Sequence, residues 1–266
     1  MDETTFQELL ALCDRRIPHK VPKESGVFSW AVNGGDYLGS PGKDIYYALP
    51  DLTEEQTKQL VVKHAQQYPT DPPGNHVGNA ACIRYIYGQF EKQGALRSEE
   101  DYKRMKKRGV DWSLSRQFID KLHDEFERIS NDYGLCLLFE MDAHRLGDES
   151  LLYKDNQKLD EMEQSYLAAA EYAHKCNSYK HMFTPYYWAS RYFALADKND
   201  KMIMYSRKTL DEADAYCPDA RQSYVDKLLG CAKILKNHDR KQWKRLRKRL
   251  DNQSTNRCIR KMLKKI

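Results

Sequence analysis

The chain has 266 residues, 41% hydrophobic and 31% charged, with 44 Lys or Arg against 39 Asp or Glu. That balance excludes a disordered polyelectrolyte, and no apolar run reaches the roughly 18 residues a membrane helix needs. Nine Pro and 13 Gly are too few for a loop-rich all-β protein of this size. The first helix is expected at about Thr5 to Arg15, on Leu9, Leu10 and Leu12. Residues 17–50 change character: GVFSWAV is followed by NGGDYLGSPGKD and DIYYALP. The glycines and Pro41 read as a loop, and the β-branched and aromatic flanks admit a small β-hairpin. Thr53 then caps a helix with acidic residues in its first turn. Residues 68–75, YPTDPPGN, break the chain. A helix follows from about His76 to Lys92, with Ala80, Ile83, Tyr87 and Phe90 on one face. Ser98 caps a short polar segment. Ser113 caps the next helix, where Leu114, Phe118, Leu122, Phe126 and Ile129 form an amphipathic stripe.

From Tyr133 onward the pattern predicts helix after helix with short joints. Residues 133–147 are apolar enough for a buried helix, although LCLLF alone also suits a strand. A long helix at 155–176 uses Leu159, Met162, Tyr166, Ala169 and Ala173. Thr184 and Pro185 read as an N-cap and first-turn proline, opening a helix to about Lys198. Asn199 and Asp200 start another, to about Tyr216. Asp219 caps the next, to about Lys236. The last two run over about 240–251, on Trp243, Leu246 and Leu250, and 255–265, on Ile259, Met262 and Leu263.

Helices joined by about three residues lie antiparallel, and two successive hairpins align. Phe193-Ala194 and Leu229-Gly230 are 36 residues apart, as are Leu210 and Leu246. A large apolar residue followed by a small one recurs at both sites. Ser206 with Leu210, then Ala213 and Pro218, completes a second-helix pattern. On these residues the segment 184–254 resembles the tetratricopeptide repeat family. It departs from that family at Ser190, Asp197, Gln242 and Ser254, and its spacing is 36 rather than about 34. The resemblance implies stacked helical hairpins and a concave face that binds peptides or proteins.

Catalytic and metal chemistry finds little footing. The glycines at 34, 35, 39 and 42 with Lys43 fail the phosphate-loop pattern, because Tyr37 stands where glycine is needed and Asp44 where Ser or Thr should bind magnesium. His174, Cys176 and His181 are of ligand type, but no paired spacing supplies the four ligands of a closed zinc site. Asp71, His76 and Glu91, or Asp142 with His144, can be assembled into acid–base sets, yet no motif gives them context. The seven cysteines are scattered and form no C-x-x-C pair. They read as reduced, mostly buried thiols of a cytoplasmic protein. The N-terminal MDETTFQELLALCDRR lacks the basic and apolar regions of a secretory signal.

The charge distribution is the strongest anomaly. Residues 233–266 hold 14 Lys or Arg against two Asp, which leaves 30 against 37 in residues 1–232. Lys241, Lys244, Arg245, Lys248 and Arg249 are the candidate polyanion contacts, with a nuclear-import signal as an option in a eukaryotic source. The plainer reading is a solvated cap on the last helical pair. Tyr186, Tyr187, Trp188 and Tyr192 are candidates to line a peptide groove, against their alternative as core.

The expected fold is therefore all-α: a less regular, mainly helical region with a small β-hairpin over 1–95, and a hairpin-repeat region with a basic end over 96–266. The leading function is a non-catalytic protein–protein interaction module, with a protein or peptide partner, no cofactor, no metal and no membrane. The alternatives are a nucleic-acid or polyanion binder using the C-terminal helices, and an enzyme with its site in the N-terminal region.

Overall fold

Local signals in the chain set where each helix begins and stops. In a computed structural model, the structure describes residues 1–13, 52–67, 85, 112–217 and 221–266. The predicted hairpin at 17–50, the 76–92 helix except for Tyr85, the Ser98 and Asp219 caps, and the Gly34–Lys43 loop lie outside them. The described residues form helices and no strands. They belong to two compact units, Met1–Leu138 and Phe139–Ile266.

In the first unit, α1 (Glu3–Cys13) packs on α2 (Glu54–Gln67). Asp2 caps α1 by accepting from the Thr5 backbone and hydroxyl, and those bonds hold its carboxyl below the usual range. Thr53 caps α2 reciprocally: its hydroxyl accepts from the Gln56 N–H, and Gln56 Oε1 accepts from the Thr53 N–H. Helix α3 (Trp112–Arg128) begins one residue before Ser113, so Ser113 lies inside it rather than capping it. Leu122 and Phe126 of its stripe are buried and Ile129 is half-buried. Tyr85 donates to Glu125 at 2.7 Å and meets the Phe126 ring edge-on.

Helix α4 (Asp132–Tyr153) starts in the first unit and runs into the second; its LCLLF segment is helical. Then come α5 (Asn156–Lys175), α6 (Tyr179–Leu195), α7 (Asn199–Tyr216), α8 (Gln222–His238), α9 (Arg240–Gln253) and α10 (Arg257–Leu263). Four consecutive joints share one geometry. Ser130, Lys154, Asn177 and Asp197 adopt left-handed backbone with φ of 53, 56, 52 and 56°. The next residue's N–H reaches back five positions: Asn131 to Phe126, Asp155 to Ser150, Ser178 to Ala173 and Lys198 to Phe193. This closing bond satisfies the last carbonyls of the helix and reverses the chain within three residues.

Thr184-Pro185 does not open α6, which starts at Tyr179. Pro185 sits inside the helix, where it cannot donate to the His181 carbonyl. The preceding turn is held by burial of Met182 and Phe183. The Thr184 hydroxyl is buried without a hydrogen-bond partner among the described residues.

The contacts fix the directions of the helices. As numbers rise along α6 they fall along α7: Tyr186 meets Lys208, Ser190 bonds Ser206, and Phe193 stacks on Tyr205. These neighbours are antiparallel. Alternate helices run parallel, because both numbers rise together: Glu140–His181 and Asp148–Tyr192 for α4 and α6, Phe183–Tyr224 and Trp188–Lys227 for α6 and α8, and Asp211–Arg249 and Asp214–Ser254 for α7 and the end of α9. Phe193 and Leu210 are fully buried and Leu246 nearly so. Leu229 is only partly buried, because Leu228 takes the core position beside it. A Cβ on Gly230 would meet nothing within 4 Å, so close packing does not require a small residue there.

Candidate interaction surfaces

The aromatic residues of α6 separate into two sets. Tyr186 and Tyr192 are buried. Tyr186 stacks on Tyr205, and burial pushes its hydroxyl up to about 12. Tyr192 donates to Asp148 at 2.7 Å and packs against the α4 backbone at Gly147. A Cβ on Gly147 would lie 2.6 Å from the Tyr192 ring, which explains glycine inside this helix. Tyr187 and Trp188 are half-buried neighbours with ring centroids 5.0 Å apart. Lys227 of α8 places its ammonium 4.9 Å from the first ring and 5.0 Å from the second. On its other flank Trp188 meets His144 of α4, which shares a 2.9 Å hydrogen bond with Tyr166.

Helix α4 also carries a buried charge cluster that the pattern of the sequence had not suggested. Asp142 is 0% exposed and Arg145 6%. Arg145 donates twice to Asp142 Oδ1 and once to Glu149, while Ser165 donates to the other Asp142 oxygen. Burial raises the Glu149 pKa, against the pull of Arg145. Asp142 and His144, considered together as an acid–base set, therefore have different partners. The three- and four-residue spacing of Asp142, Arg145 and Glu149 along α4 is the signal that could have found the cluster.

His174, Cys176 and His181 also go separate ways. His174 bonds Glu212, His181 bonds Glu140, and Cys176 is a buried thiol. Among the described residues, His123, Asp124 and Glu127 on one exposed turn of α3 do bring three ligand atoms within 4.8 Å. Asp71, His76 and Glu91 lie outside the described residues. Cys136, Cys176, Cys217, Cys231 and Cys258 are buried, and burial pushes the Cys231 thiol up to about 12.

The basic end presents a different surface. Trp243, Leu246 and Leu250 are buried and turn one face of α9 inward. Asp239 caps this helix by accepting from the Gln242 N–H. Asn256 joins it to the preceding structure: its carbonyl caps α10, and its amide donates to the Ala213, Asp214 and Cys217 carbonyls at the end of α7. Lys241, Lys244, Arg245, Lys248 and Arg249 are all exposed. Arg249 pairs with Asp211, and Arg247 with Asp251. Lys241, Lys244, Arg245 and Lys248 make no ion pair among the described residues.

Among the described residues the protein is all-helical, with adjacent helices packed against one another. Among its described residues no helix is long and apolar enough to cross a membrane. No family model, curated protein or solved structure matches the chain.

Proposed function

We propose that the protein is a non-catalytic interaction module, a stack of antiparallel helical hairpins of the tetratricopeptide-like kind that holds a protein or peptide partner. The observation that carries this reading is the parallel register of alternate helices, from Glu140–His181 through Phe183–Tyr224 to Asp211–Arg249. Hairpins stacked in this way leave one side of each layer continuous and open to a partner. The patch assigned to that partner is Tyr187 and Trp188 with Lys227. It offers flat aromatic surface with a cation at its edge, the composition that concentrates binding energy at protein interfaces. Tyr186 and Tyr192 support the patch from within the core.

The test is affinity capture from nuclease-treated lysate of the source, followed by binding of the captured partner to purified variants. Trp188→Ala and Lys227→Glu should each weaken binding at least tenfold, while thermal unfolding shows that the fold persists. Lys198→Glu, an exposed change in the joint before α7, should leave binding unchanged. Full binding by both patch variants would overturn the reading, as would a partner set that disappears on nuclease treatment.

A further inference from the structure

The cations of α9 are sorted by their surroundings. Off the outer stripe, Arg247 and Arg249 pair with Asp251 and Asp211, while Arg240 stands exposed at the first turn. Lys241, Lys244, Arg245 and Lys248 are exposed and make no ion pair among the described residues. Their spacing of three, four and seven residues puts them on one stripe, opposite the buried Trp243, Leu246 and Leu250. At a rise of 1.5 Å per residue the stripe is about 10 Å long. The helix beneath it is held by its Asp239 cap and by Asn256, so the charges are displayed on a fixed support.

We infer that this stripe is a docking surface for the phosphate backbone of a double-stranded nucleic acid, read without base specificity. Charge complementarity is the first argument. A duplex carries about one phosphate charge per 1.7 Å of its axis, so roughly six face or flank a stripe of this length. The competing occupants each lack something they need. A single strand is held largely by bases stacking on aromatic rings, and the aromatics of α8–α10, Tyr224 and Trp243, are both buried. A protein partner needs an apolar anchor at the centre of its interface, yet the exposed large hydrophobics among the described residues, Tyr153, Leu195, Met204 and Tyr216, all lie outside α8–α10. A membrane surface would need the apolar face of an amphipathic helix, and the apolar face of α9 is already turned into the core.

The experiment is equilibrium binding of the full chain to a labelled duplex of mixed sequence, repeated across salt concentrations. The same measurement is made with a single strand of equal length, polyglutamate and phosphatidylserine vesicles. Four phosphate contacts predict a log–log salt slope near −3.6 for the duplex, a loss of about a hundredfold between about 50 and 200 mM salt. Lys244→Glu with Arg245→Glu should weaken duplex binding at least tenfold and flatten the slope. Lys121→Glu with Lys198→Glu changes net charge equally at two exposed sites, one on α3 and one in the joint before α7, and should leave binding within about twofold. Unchanged unfolding temperatures keep the comparison clean, since exposed charges contribute little to stability. Absence of duplex binding at low salt overturns the proposal. So does equal loss in the two double variants, or binding to the single strand, polyglutamate or vesicles as tight as to the duplex.

Discussion

Eleven polar or charged residues are buried between α4 and α7, among them Asp142, Arg145, Glu149 and His181, whereas among the described residues of α8 to α10 Ser254 alone is. The two regions use the same helix-on-helix packing but fill it differently. In the first, neighbouring helices are joined by directional bonds: Ser190 to Ser206, Glu163 to Lys201 and Tyr205, His181 to Glu140. In the second, Leu228, Leu235, Trp243, Leu246, Leu250, Ile259 and Met262 make an apolar core, and the charge is left outside. A core sealed by apolar contacts does not depend on the charges at its surface. The second region can therefore carry a large positive excess without losing its fold, and the first cannot be recharged so freely.

The largest effect that would break this contrast is expected at Arg145. Arg145→Met leaves Asp142 buried without its cation and should cost about 3–5 kcal/mol in denaturant unfolding. Adding Asp142→Asn and Glu149→Gln should recover most of that loss; no recovery would show that Arg145 acts through packing alone. Leu250→Ala in the apolar region should cost about 2–5 kcal/mol through its cavity, with the same value at pH 5 and pH 8. Asn256→Ala removes the α10 cap and three donated bonds at the end of α7. It should cost about 1–3 kcal/mol, and a loss within experimental error would mean that water replaces those bonds.

The pH dependence sharpens the comparison. Burial raises Glu149 above the ordinary glutamate value of 4.5. The folded state then holds its proton where the unfolded state has released it, so this group lowers stability as pH rises from 4.5 through the raised value. Glu149→Gln should flatten that decline, measured by urea unfolding at several pH values; an unchanged profile would place the sensitivity elsewhere. The smallest effect belongs to Arg249→Ala, whose pairing with Asp211 is open to solvent on both sides. It should cost less than about 1 kcal/mol, and less still at high salt.

The helices were largely legible because their apolar residues follow the helical period. Leu159, Met162, Tyr166, Ala169 and Ala173 of α5, and Trp243, Leu246 and Leu250 of α9, are buried as their spacing predicts. Caps were legible where a side chain bonds the first turn, as Thr53 does, and misleading at Thr184-Pro185. There, burial of the preceding turn outweighed the proline. The buried Asp142–Arg145–Glu149 cluster was hidden because charges on a helix ordinarily signal its solvent face. Only contact between helices shows that these three point inward. The aromatic run at 186–192 was ambiguous for a related reason: period alone separates neither Tyr187 and Trp188 at the surface from Tyr186 and Tyr192 in the core.

The described thiols give this architecture a clock. Cys136 lies in α4, Cys176 after α5, Cys217 after α7, Cys231 in α8 and Cys258 in α10, all buried. A thiol shut away from solvent reacts with an alkylating reagent only when its surroundings open. Peptide-resolved alkylation rates therefore time the opening of each successive helical layer within one native molecule. A partner bound on either surface would register as a slowing confined to the cysteines of the layers it clamps.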